Sequence, residues 1–351
     1  MKSKIKLPED ESIHRDYDCE WWYFNGFLKG KREYAFMNCL FRVRGEKVKI
    51  SLFKLPVKDL FFSHSILFDL KSKKVSSETL PIVIVSDDSF KKEGLFINYH
   101  YPFRKNSAGY EIVRQGDLLR IKNRFLDLSC RQTKKPLLEG GAGLLTLGTK
   151  KTFYFSYTNM EASGFIGKDS VKGKVWHDRQ WFNINQSNYD SWVWFSIQMP
   201  DNTELVCAKC NDEKYAYLLH ANNRQESCEV NFKSSGRGWK SPISGLTYKL
   251  EWEIVLKNYV IKTRPVIKKC EVNFGVVNYW EGPLVVSVNG KKARGFMEYI
   301  LPNQPTIIES TLRKGGQDLL SWIKRLRRHR QKIRQAGSDK KRGGAKKDKK
   351  G

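Results

Sequence analysis

No stretch of this 351-residue chain approaches the roughly 20 consecutive apolar residues of a membrane span, which excludes a spanning helix. Lys2, Lys4 and Lys6 have no apolar run behind them, so the amino terminus lacks the core of a secretory signal. The seven cysteines are an odd number without small-scaffold spacing, which fits a reducing compartment; the expected location is the cytoplasm. Histidine is scarce: His14, His64, His100 and His220 are isolated and His177 has no second His at ligand spacing, so no metal is expected. Nor is any cofactor. Gly143 to Lys150 imitates a phosphate loop with Lys and Thr in the wrong order, and no Gly-x-Ser-x-Gly elbow exists. Cys207 and Cys210 have the gap of a redox pair, but on a strand they point to opposite faces.

Aromatic residues, by contrast, make up 13% of the chain, with 10 Trp, 15 Tyr and 20 Phe, and these favour pleated sheet. Alternation and turn signals recur. Trp21 to Leu28 and Glu33 to Val43 read as a hairpin around residues 29 to 32. Further strand patterns run over 51–55, 80–85, 95–101, 118–128, 153–158 and 174–181, then 191–199, 204–210, 215–220, 246–256 and 276–288. The length suits two domains.

An internal repeat supports that division. Trp21-Trp22-Tyr23-Phe24 lies over Trp192-Val193-Trp194-Phe195 at an offset of 171, and Glu33-Tyr34 over Glu204-Leu205 and Cys39 over Cys210 keep the same register, with a turn of equal length. Each half closes on a Glu-bearing hairpin, Tyr157 to Glu161 before Gly173 to Trp176 and Tyr279 to Gly282 before Gly295 to Glu298. About 170 residues per half suits a barrel of eight or so strands. The fold expected is therefore all-β: two tandem lipocalin-like antiparallel β-barrels, 12–172 and 173–302 with the boundary inside 160–190, then a tail over 303–351.

Glu20-Trp21-Trp22-Tyr23-Phe24-Asn25-Gly26, Glu139-Gly140-Gly141-Ala142-Gly143, Phe153-Tyr154-Phe155-Ser156-Tyr157, Gly173-Lys174-Val175-Trp176-His177-Asp178-Arg179-Gln180-Trp181 and Tyr279-Trp280-Glu281-Gly282 occur in this order. Over roughly residues 12 to 302 the chain resembles the lipocalin-like family of carotenoid 1,2-hydratase and related predicted hydrolases, the AttH/CrtC-like proteins. The resemblance implies two barrels side by side with a hydrophobic pocket near their junction for a long apolar, isoprenoid or polyene-like molecule. In the hydratases the segment around Asp178 reads Asp-His-x-Trp, its His acting with a Tyr and an Asp on a following strand. Here Asp178 and Trp181 match, Arg179 replaces the His, and Thr203 to Cys210 offers neither Tyr nor Asp.

The period of two along 174–181 puts Trp176, Asp178 and Gln180 on one face and Val175, His177, Arg179 and Trp181 on the other. Neither face is plainly a core face, and buried charges need partners. Two readings stay open. As a catalytic site, Asp178 gives or takes a proton, Arg179 holds it or a developing anion, and Trp176 or Trp181 steadies a carbocation; as structure, Asp178 and Arg179 form a buried pair joining the barrels. Glu20, Glu161, Glu281 and Glu298 each stand beside an aromatic or Met, where burial makes a carboxyl a general acid near neutral pH or an Arg partner makes it a barrel closure. Glu20 and Glu161 are the acid candidates among them. Trp22, Tyr157, Asn159, Trp176, His177, Gln180, Trp181, Trp194 and Glu281 are the expected ligand-binding residues.

The formal charge of +27 is uneven: Arg313 to Gly351 carries 16 Lys or Arg against Asp318, Asp339 and Asp348, which is +13 on 39 residues. Leu319, Leu320, Ile323 and Leu326 beside this charge read as a basic amphipathic helix with Trp322 at a headgroup boundary, followed by a low-complexity, disordered run. An anionic membrane surface, contacted peripherally, or nucleic acid is the partner expected for residues 313–350. Three functions follow: acid/base conversion (hydration, isomerisation or cyclisation) of an apolar small molecule, by a lyase or an isomerase/cyclase; non-catalytic binding of such a ligand or lipid; or action through the tail.

Overall fold

The structure, a computed structural model, describes residues 3–302 apart from 48, 51–52, 55–57, 93, 104–108, 148–149, 185–190 and 275–276. The expected tail helix and disordered run lie outside the described residues. No helix among them is long and apolar enough to cross a membrane.

Ten antiparallel strands form the first unit: β1 (Cys19–Lys29), β2 (Glu33–Arg44), β3 (Asp59–Asp69), β4 (Lys74–Val85), β5 (Phe96–His100), β6 (Tyr110–Gln115), β7 (Leu118–Lys122), β8 (Leu126–Gln132), β9 (Lys150–Ile166) and β10 (Asp169–Phe182). Each pairs with the next up to β8, β10 pairs with both β1 and β9, and β9 pairs with β8, so the barrel closes. The segment expected as one unit over 118–128 is two strands, because the Asn123 side chain accepts the amide N–H groups of Phe125 and Leu126 and turns the chain. β10, which a boundary at 172/173 would cut, is bonded along its whole length within this sheet.

A second sheet follows: β11 (Trp192–Gln198), β12 (Glu204–Cys210), β13 (Glu213–Leu219), β14 (Gln225–Ser227), β15 (Asn231–Ser235), β16 (Glu251–Leu256), β17 (Tyr259–Pro265), β18 (Glu271–Phe274), β19 (Val277–Val288) and β20 (Lys291–Ile300). Its order is β14-β13-β12-β11-β20-β19-β17-β16-β15, with β18 also on β19. It does not close. Where two barrels were expected, the second unit is a half-barrel, and its concave face is filled by the outer wall of the first.

That arrangement explains why β1 and β10 lack a clean core face. Side chains alternate across a strand, and here both sides are covered. Trp22, Phe24, Leu40, Phe155, Val175 and Trp181 pack inside the barrel, while Tyr23, Phe27, Met37, Tyr154 and Trp176 join Trp194, Phe195, Tyr279 and Phe296 in one core shared with the half-barrel. A buried aromatic of this size contributes about 2–3 kcal/mol, so the half-barrel depends on the barrel wall for much of its interior.

The repeat is visible in space. Asn25 donates to Ser196 Oγ at 3.1 Å, and the rings of Tyr23 and Trp194 meet edge to face at 5.4 Å; each pair is separated by 171 positions, so corresponding residues of β1 and β11 touch each other where the strands cross. The register differs from the expected one. Tyr23 stands opposite Cys39, but Trp194 stands opposite Ala208 and Cys210 opposite Trp192, because the turn lengthens from residues 30–32 to 199–203.

Candidate functional site

The expected site residues separate into two groups because β10 sends alternate side chains to opposite sides of the barrel wall. Inside the barrel, Arg179 and Glu20 are fully buried and paired. Glu20 also receives Arg42 at 2.8 Å and the His14 backbone N–H at 3.0 Å. Arg179 further donates to the carbonyls of Glu11, Ser12, Trp21 and Gln180 and lies 4.0 Å above the Trp22 ring. Burial alone would raise the Glu20 pKa, yet Arg179, His14 and Arg42 hold it down to about 2. Glu20 is thus a carboxylate at neutral pH and not a general acid; it closes the barrel end against residues 3–18. Trp22 donates to the Glu11 carbonyl at 2.9 Å, Tyr157 donates to the Glu11 carboxylate at 2.5 Å, and Trp181 stacks on His14 at 3.9 Å. His177, stacked on Phe24 at 4.1 Å, is pushed down to about 3 by burial and is a neutral core imidazole.

Arg179 therefore does not hold Asp178, and the pair expected to join the barrels does not form. Two other expectations also part from the site. Glu161 is exposed and pairs with Lys174 at 3.4 Å, so it lacks the burial an internal acid needs. Asn159 sits in a β-bulge of β9, where the register shifts between Tyr157 and Met160. Such a bulge re-aims its side chains: Asn159 donates to Glu204 at 2.7 Å, and Glu204 is held by Lys134 at 2.5 Å. This is a latch between the two units.

The second group faces the half-barrel. Asp178 is 3% exposed; its Oδ1 accepts the indole N–H of Trp176 at 2.6 Å and its Oδ2 the hydroxyl of Tyr154 at 2.8 Å. Ser156 Oγ lies 2.6 Å from Asp178 Oδ1 and 2.6 Å from Glu139 Oε1. Burial raises Asp178 to about 7 against those three contacts, and burial with the neighbouring Asp178 charge pushes Glu139 well above the usual carboxylate range. Glu139 occupies a 3-10 turn, Glu139–Gly141, in which Gly140 has φ +71 and a Cβ would meet the Leu145 nitrogen at 2.9 Å. The glycine-rich string is what lets the turn carry a carboxyl under the sheet.

Across the junction stands a related constellation. Glu298 is opposite Trp194 as Asp178 is opposite Tyr23, and Glu281 is opposite Glu298 as Ser156 is opposite Asp178. Tyr23 donates to Glu281 at 2.8 Å and Trp192 to Glu298 at 2.5 Å. Burial and the facing Glu298 carboxyl push Glu281 well up, and burial raises Glu298. Trp194 bridges the halves, donating to the Tyr154 hydroxyl at 3.1 Å with its ring 6.4 Å from that of Trp176. Gln180, half-buried on the Asp178 side of β10, and Trp192 flank the carboxyls.

Of the expected residues, then, Trp176, Asp178, Gln180, Trp194 and Glu281 converge at the junction. Glu139, Tyr154 and Ser156 join them without having been singled out, although each stands in one of the strings that carry the family resemblance; only the third dimension shows their alignment with Asp178. A separate groove of about 400 Å³ on the outer side of the half-barrel, lined by residues such as Lys233, Glu251, Glu253, Lys262 and Arg264, is open and charged and remote from these carboxyls.

Known proteins resemble this one over the same span. A crystal structure of a protein assigned as an AttH from Nitrosomonas europaea superposes with a TM-score of 0.70 at 23% identity, over 85% of this chain and 96% of that one. Kievitone hydratase from Nectria haematococca superposes at 0.60 and 16% identity, over 86% and 95%. Dehydratase asqC of Emericella nidulans is 23% identical over 163 residues, 40% of this chain, so the chain spans about half the length of that relative, 46%. The model of the AttH-like family matches residues 1–300, and the chain belongs to that family.

Proposed function

We propose that the junction is an acid/base site that binds an apolar small molecule and adds or removes water, with Asp178 as the proton donor. The observation that carries this reading is a buried carboxyl poised at about 7 that accepts the Trp176 indole N–H, is linked to Trp194 through the Tyr154 hydroxyl, and stands opposite a second pair of carboxyls. General acids work best when their pKa lies near the operating pH. In hydration, the Asp178 O–H proton passes to one alkene carbon, and the positive charge left on the other faces Trp176 and Trp194, whose rings attract cations. Water adds there and gives its extra proton to the ionised member of the Glu281–Glu298 pair. Dehydration runs the same steps backwards. The hydratase and dehydratase names of two similar proteins favour this chemistry over isomerisation or cyclisation, and an isoprenoid or polyene-like substrate fits the aromatic lining.

The test begins with an organic extract of the full-length protein from its own host, examined by absorption and mass spectrometry for a bound apolar compound. Conversion of that compound is then followed in wild type and Asp178→Asn. Turnover in wild type that falls at least 100-fold in the variant, and that declines as pH rises through about 7 and Asp178 loses its proton, is the expected result. Binding without conversion in wild type identifies a carrier instead.

A further inference from the structure

Ser156 Oγ carries a single hydrogen, yet it lies 2.6 Å from a carboxyl oxygen on each side. Two carboxylates cannot both accept that hydrogen, so one carboxyl must itself donate to Ser156. Asp178 meets a donor at each oxygen, Trp176 and Ser156 at Oδ1 and Tyr154 at Oδ2, which is the surrounding of an anion. Among the described residues Glu139 has Ser156 at Oε1 and its own backbone N–H as donors, and its buried Oε2 has no hydrogen-bond partner. An ionised carboxylate left so bare would carry the full cost of desolvation.

We infer that Glu139 stays protonated and serves as a neutral hydrogen-bond donor, its O–H pointing to Ser156 and the Ser156 O–H to Asp178, so that it steadies and orients the Asp178 carboxylate. Glu139 is a positioning residue, acting through Ser156 and not on the ligand. The groups facing this chain from the elements around it agree. Tyr154 of β9 and Tyr215 of β13 stay neutral, raised well above their ordinary range by burial. Tyr217 is raised by burial as well. Glu298, the charged neighbour acting most on Asp178, also disfavours its anion, which leaves hydrogen bonding to hold Asp178 at a pKa usable near neutrality. When Asp178 surrenders its proton, no proton need leave Glu139: the two hydrogen bonds shorten toward the new anion.

The inference rests on Asp178 being the working acid, but its test needs no substrate. Infrared difference spectra of the full-length protein, titrated from pH 5 to 9 in H2O and D2O, read protonated carboxyls by their C=O stretch. Wild type should show a band that outlasts the Asp178 titration and disappears in Glu139→Gln. Because the amide still donates to Ser156, the Asp178 midpoint should move by less than about half a pH unit in that variant, whereas Ser156→Ala, which removes one of three donors, should raise it by about one. If Glu139 is instead an ionised carboxylate, no band is lost and Glu139→Gln lowers the Asp178 midpoint by more than one unit. That outcome overturns the inference and leaves the turnover test of Asp178→Asn standing; a lost band with an active Asp178→Asn variant does the reverse.

Discussion

Replacing Glu20 by Gln keeps the shape of the side chain and removes the one negative charge between two fully buried arginines. Arg179 would retain its four carbonyl acceptors and Arg42 its contact with Asp59 at 2.9 Å, so the loss is mainly electrostatic, joined by the one arginine hydrogen bond that the amide nitrogen cannot accept. Two routes give its size. Breaking a buried ion pair from one side costs about 3–5 kcal/mol, and the fall of the Glu20 pKa from 4.5 to about 2 corresponds, at roughly 1.4 kcal/mol per pH unit, to about 3 kcal/mol. A depressed carboxyl pKa stabilises above the unfolded value and loses that stabilisation as pH falls through the folded one. The difference between wild type and Glu20→Gln should thus be about 3 kcal/mol at pH 7, about half that or less at pH 3, and near zero below pH 2. Urea unfolding followed by tryptophan fluorescence measures it, and a melting temperature lower by roughly 6–12 °C accompanies it at pH 7. A difference under about 1 kcal/mol at pH 7, or one that does not shrink toward low pH, would refute the assignment of Glu20 as the anchor of the barrel end.

Lys134 reaches across to the half-barrel, where its ammonium meets Glu204 at 2.5 Å and the carbonyls of Asn202 and Leu219 at 2.9 and 3.1 Å. Lys134→Met should cost about 3 kcal/mol in urea unfolding, since it strands a buried carboxylate; a loss below 1 kcal/mol would mean that the latch is replaceable. At Gly173, between β1 and β9, a Cβ would come within 2.0 Å of the Phe27 carbonyl oxygen and 2.9 Å of Leu28 Cα. Gly173→Ala should therefore destabilise by more than about 2 kcal/mol, or fail to accumulate as folded protein; wild-type melting would show that the two strands can part at no cost.

The strand order was largely legible from apolar runs and the turns between them. Leu95 to Tyr101 alternates because one side meets water, whereas Glu204 to Cys210 and the β1–β2 hairpin are buried on both sides and are readable from their apolar and turn residues. β3 does not read as a strand: Asp59–Asp69 also buries almost every side chain, so the period of two is erased. The same double burial hid the boundary. A strand covered on both sides by different units cannot be assigned to one of them by pattern, and β10 gave no sign of which barrel it closed. Nor did composition reveal that the second sheet would stay open, since the residues completing its core come from the first half of the chain.

The site was legible in part for a related reason. Asp178, Trp176 and Glu281 stand out as polar or bulky residues in strands, and the junction gathers them. Arg179 stood out just as strongly and belongs elsewhere, because one position along a strand is half a turn about its axis. Sequence neighbours in β10 thus do opposite work: Arg179 locks the barrel end through Glu20, and Asp178 meets the half-barrel. Glu139, 39 positions before Asp178, reaches it only through a hydroxyl on a third element, and no spacing rule encodes that approach. The contact of Asn25 with Ser196 and of Tyr23 with Trp194 shows why the site lies where it does. Two related strands crossing at corresponding residues create a local twofold relation, which sets a carboxyl on β10 facing a carboxyl on β20, and the acid/base chemistry proposed for the junction requires such a pair, one to donate a proton and one to accept it.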